Sequence, residues 1–89
     1  MLYEVKITCY EYGKEKTYSF RKEVSTLDEL KTSFLKRFGN LGNVPNKALK
    51  EKPLVKQLTY SAKSVEEWVK LVNERTWRWK LNIRELRRK

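Results

Sequence analysis

Three basic side chains recur at even spacing near the C-terminal end of the chain. Arg78, Lys80 and Arg84 alternate with Trp77, Trp79, Leu81 and Ile83, and Asn82 completes the even-numbered row. In extended backbone that row shares one face. Side chains two apart stand about 6.6–7 Å from each other, close to the roughly 6.8 Å between every second phosphate of a DNA strand. Such a row can hold an extended polyanion. Lys6 and Arg21, on two earlier extended stretches, are expected on the same face. Lys47, Lys50 and Lys52 add point charges suited to backbone phosphate rather than to base edges. Tyr12, placed in a turn, offers a ring that can stack on a base. Arg87, Arg88 and Lys89 close the chain as a basic tail, 87–89. The solvated side of a one-faced sheet would show the same alternation.

Other chemistries find less support. The chain has no histidine, which removes the commonest general base at neutral pH and the commonest metal ligand. Cys9 is the single cysteine, so an internal disulfide and a cysteine-rich zinc site are both excluded. Gly39-Asn40-Leu41-Gly42 lacks the spacing of a phosphate loop and its following Lys-Ser/Thr pair. Asp28-Glu29 and Glu66-Glu67 fall where acids favour a helix N-terminus. The expectation is therefore no enzyme, no catalytic residue, no metal and no cofactor.

Charge narrows the partners. Lys and Arg number 21 against 11 acids, a formal net charge of +10. The excess is uneven: residues 1–43 carry a net +2 and residues 44–89 a net +8. Self-repulsion of that size favours an anionic partner. No apolar run reaches the roughly 18 residues of a membrane span, and neither helical segment has an arginine-rich face opposite a broad apolar one. Glu4 and Lys6 interrupt the N-terminal apolar stretch, so no secretory signal is expected and a cytoplasmic location follows as the default.

The elements that must position these residues can be read from periodicity. Tyr3, Val5, Ile7 and Cys9 alternate with Glu4, Lys6 and Thr8, which predicts a strand with the first set inward. A turn at Glu11–Lys14, with Gly13 free to take positive φ, returns the chain through Tyr18 and Phe20. Thr26 and Glu29 have capping-box spacing, and Leu27, Leu30, Phe34 and Phe38 then recur at helical spacing up to Gly39 as the C′ residue. Residues 39–53, rich in Gly, Asn and Pro, are expected as a long loop, with at most a helical turn over 45–49. Residues 54–60 are expected as a third strand, with Leu54, Leu58 and Tyr60, or the offset Val55, turned to the core. Ser64 and Glu67 cap a second helix whose stripe is Val65, Trp68, Val69 and Val72. The last stretch predicts a strand with Trp77, Trp79, Leu81 and Ile83 inward, or a short final helix capped by Asn82.

The expected fold is a single α+β domain, 1–89, in ββαβαβ order. Its four-stranded mixed sheet carries two helices on one face, an order that fits a β-grasp-like arrangement with the last strand central beside the first. A basic hairpin followed by a helix resembles, at fold level, several small DNA-binding domains of mobile elements, which assigns no function by itself. The expected function is non-catalytic binding of nucleic acid, DNA or RNA, through phosphate contacts with little sequence specificity. The alternative is a small basic module or inhibitor that binds an acidic partner protein.

Overall fold

The computed structural model describes residues 1–11, 13–42 and 44–86. The elements are β1 (Leu2–Glu11), β2 (Lys14–Glu23), α1 (Leu27–Gly39), α2 (Asn46–Ser61), α3 (Val65–Arg75) and β3 (Trp79–Leu86). The order is ββαααβ, and the sheet has three strands in the order β2-β1-β3, antiparallel throughout. This overturns the expected ββαβαβ chain, its four-stranded mixed sheet and the β-grasp-like arrangement. The last strand does lie beside the first, but β1 is central and β3 is an edge. β3 also runs on through Leu86, so no helix starts at Asn82.

The hairpin follows from local sequence. Glu11 pairs with Lys14, leaving two residues to turn the chain, and Gly13 takes φ +75°. A Cβ there would meet nothing within 4 Å, so conformation rather than space selects glycine. Val5, Ile7 and Cys9 point to one side and are buried with Trp79 and Leu81 against the helices. Thr26 and Ser64 cap α1 and α3 as their spacing predicts, each side chain accepting from the third residue on. Glu29 and Glu67 reach back to the backbone N–H just before each cap, of Ser25 and Lys63. Gly39 ends α1 inside the helix, and Asn40 is its C-cap.

Helix α2 replaces both the expected loop over 46–53 and the expected strand over 54–60. Ala48, Val55, Leu58 and Ala62 are buried at spacings that only a helix brings to one side. Pro53 removes one backbone donor, to the Leu49 carbonyl, but both residues lie on the exposed side. An interior proline costs roughly 3 kcal/mol, and burial of the apolar side offsets it. Tyr60, expected inward, is 68% exposed. The buried Lys31 ammonium donates to the carbonyls of Tyr60 and Ala62, where the helix dipole favours a cation.

An aromatic chain joins the layers. Trp68 meets Phe34 edge-on at 5.2 Å, Phe34 stacks on Phe38 at 5.2 Å, and Phe38 meets Trp79 at 4.9 Å. Both buried indoles donate, Trp68 Nε1 to Thr59 Oγ1 at 2.8 Å and Trp79 Nε1 to the Ala48 carbonyl at 2.9 Å. Trp77 does not join them. It was expected in the core beside Trp79 and is instead 87% exposed, because β3 begins only at Trp79. The Glu51 carboxylate accepts from the backbone N–H of Trp77 at 2.8 Å and of Arg78 at 2.7 Å, holding the approach to β3 outside the strand alternation.

The two tryptophans should therefore separate in urea denaturation. Trp79→Ala is expected to cost about 3–5 kcal/mol, the range for a buried large aromatic. Trp77→Ala should stay within about 0.5 kcal/mol of the parent.

Candidate functional site

The helices cover one face of the sheet and leave the other open. Residues paired across neighbouring strands project to the same side, so the register defines four three-strand rows on the open face. They are Glu23–Leu2–Leu86, Arg21–Glu4–Arg84, Ser19–Lys6–Asn82 and Thr17–Thr8–Lys80, with Glu15 opposite Tyr10 beyond them. Strands lie about 4.8 Å apart and alternate residues about 6.6–7 Å apart, which sets the grid. The hydroxyls of Thr8 and Thr17 are 2.9 Å apart.

Glu4 organises this surface. It is 8% exposed, although it sits on the open face. Arg84 Nε donates to its Oε1 at 3.0 Å, and Arg21 Nε donates to its Oε2 at 3.2 Å. A second Arg21 nitrogen lies 3.2 Å from the same oxygen, and Lys6 Nζ approaches Oε1 at 3.7 Å. The cationic side chains stay in solvent, with Arg21 64% and Arg84 63% exposed. Burial alone would raise the Glu4 pKa. The Arg21 hydrogen bond and the charges of Arg84, Lys6 and Arg21 outweigh it and hold the carboxyl below its ordinary 4.5. One carboxylate thus offsets one of three cations and fixes the aim of two guanidinium groups.

The expected site residues divide into groups. Lys6, Arg21, Asn82 and Arg84 come together on the open face. Lys80 belongs to that face by register, but its ammonium reaches the α3 carbonyl of Asn73 at 3.1 Å, towards the β3 edge. Arg78 precedes the strand and is half-buried; its carbonyl accepts from the Tyr10 N–H at 2.7 Å. Lys47, Lys50 and Lys52 are not on a loop beside this surface. They lie on α2, in the helical layer, and Lys52 sits 5.0 Å over the Phe38 ring. Tyr12, Arg87 and Arg88 lie outside the described residues.

Two contributors escape a reading of composition. Glu4 looks like an ordinary exposed-face acid, yet the hairpin register sets it opposite Arg21. Trp77 looks like a core residue by alternation, yet it is exposed ahead of β3, with its backbone N–H held by Glu51. Tyr10, 37% exposed, lies on the open-face parity of β1, next to the approach to β3. Among the described residues no group of three His, Cys, Asp or Glu could hold a metal ion, and no helix is long and apolar enough to cross a membrane. No family model, no curated protein and no solved structure matches the chain.

The lowered Glu4 pKa has a pH signature. A carboxyl titrating lower when folded than when unfolded stabilises the fold above its ordinary value of 4.5. That contribution is lost as pH falls through the lower, folded-state value. Denaturation midpoints should therefore fall more steeply with acid in the parent than in Glu4→Gln. Parallel acid limbs would remove Glu4 as the cause.

Proposed function

We propose that the chain binds nucleic acid without catalysis, gripping the phosphate backbone on the open face of its sheet with little sequence specificity. One observation carries this: Lys6, Arg21 and Arg84 arrive from three strands around Glu4, which aims two guanidinium groups while leaving them exposed. A guanidinium has five N–H donors. Glu4 takes the Nε of each arginine, and for Arg84 both terminal nitrogens remain to fork onto a phosphate. Holding the fork in place beforehand lowers the ordering cost of binding.

The scale of the surface agrees with such a partner. Three strands span about 10 Å between the outer two, and alternate residues along each stand about 6.6–7 Å apart, near the spacing of every second phosphate of a strand. Asn82, Thr8 and Thr17 lie between the cations as neutral hydrogen-bonding groups. Tyr10 and the exposed Trp77 lie near one end, where rings can stack on unpaired bases for about 1–3 kcal/mol each. The net charge of +10 steers any polyanion towards the chain. A cytoplasmic location belongs with this reading.

Anisotropy of short labelled single- and double-stranded DNA and RNA at several salt concentrations tests it. Binding should weaken linearly on a log–log salt plot, with a slope near −0.9 for each phosphate neutralised on duplex DNA. Arg84→Gln and Lys6→Gln should each lower that slope by about one contact, since Arg21 still satisfies Glu4 in both. Lys47→Gln with Lys50→Gln should alter it little. Failure to bind any of the four probes at low salt would rule the proposal out.

A further inference from the structure

A second surface lies on the helix side of β2. Tyr18 and Phe20 of β2 face Phe34 and Phe38 of α1 across an apolar groove of about 240 Å³, with Ile7 and Leu41 also lining it. Phe34, Phe38 and Ile7 are buried at its base, while Tyr18, Phe20 and Leu41 are only half-buried. Its volume falls below the roughly 300–1,000 Å³ of a small-molecule pocket and suits one large apolar side chain.

Charge identifies the partner. Three cations each lie over an aromatic ring of this region: Arg37 over Phe20 at 4.4 Å, Lys52 over Phe38 at 5.0 Å and Lys16 over Tyr18 at 5.3 Å. No carboxylate lines the groove. Burial, with the nearby charge of Lys56, lowers the Lys52 pKa, so a carboxylate brought to this ammonium would relieve an existing cost. β2 is an edge strand with no strand on its outer side among the described residues, so extended backbone beside the groove can also pair with it.

We propose that this groove docks an acidic, extended segment of a partner protein. One apolar side chain of the segment enters between β2 and α1, and its flanking carboxylates meet Arg37, Lys16 and Lys52. The site is separate from the open face and stands independently of the nucleic-acid reading.

The probe is a labelled short peptide with a central Phe flanked by Asp and Glu. Two controls replace the Phe by Ser or the acids by Lys. The full chain should bind the first peptide saturably and both controls at least about tenfold more weakly. Arg37→Glu and Lys16→Glu, each checked for an unchanged circular dichroism spectrum, should each weaken it by about tenfold. An unlabelled DNA duplex should not displace the peptide. Four results would overturn the proposal: no saturable binding, equal binding of the Ser control, affinity unchanged in both variants, or displacement by duplex. Concentration-dependent self-association abolished by Arg37→Glu would overturn it too, in favour of a second copy of the chain as occupant.

Discussion

The register of β3 rests on Trp79, and most of the molecule's surface chemistry follows from that register. The indole is fully buried, donates to the Ala48 carbonyl at 2.9 Å and meets the Phe38 ring edge-on. Asn73 adds a second lock, its side-chain amide accepting from the Leu81 N–H at 2.6 Å and donating to the Leu81 carbonyl at 3.0 Å. A slip by one residue would turn every side chain of the strand to the opposite face. With Trp79 inward, Asn82 and Arg84 point away from the helices, and Arg84 falls opposite Glu4. Asn73 also covers part of an edge that would otherwise offer free backbone groups.

Glu4 then converts a sheet of alternating charges into a defined arrangement. A buried carboxylate contributes little net stability even when well paired, because its desolvation opposes the attraction. Its effect lies in geometry. Cations from both outer strands converge on the central one, and their terminal N–H groups are held at the surface. Like charges that would otherwise repel across about 10 Å of sheet share one counter-charge between them. The same logic recurs at Glu51, whose two oxygens order the backbone ahead of β3 and leave Trp77 in solvent.

Much of this was legible in the sequence where local chemistry and tertiary packing agree. The β1 alternation, the Gly13 turn and the two Ser/Thr–Glu caps all act over a few residues, and each formed where its spacing placed it. Helix α2 was hidden because local signals opposed the packing. Asn46 and Pro53 argue for a loop, and adjacent Leu54 and Val55 suggest a strand, while burial of Ala48, Val55 and Leu58 decides for a helix. Reading that helix as a strand gave the sheet a fourth strand and the fold one helix too few, within the same α+β class. The candidate surface was half legible. Lys6, Arg21, Asn82 and Arg84 follow from strand parity, but their convergence on Glu4 needs both registers. The hairpin register was within reach, since Glu11 opposite Lys14 places Glu4 opposite Arg21. The pairing with Arg84 was not, because its partners stand 80 positions apart in the chain.

The most direct measurement follows the Nε–Hε resonances of Arg21 and Arg84 by NMR while a short oligonucleotide is added at low salt. Binding through the open face predicts that both resonances shift saturably. The backbone amides of Lys6, Thr8 and Asn82 should move with them, and those of α3 should stay still. Shifts confined to the α2 lysines or to the groove beside α1, with both arginines unmoved, would contradict the account.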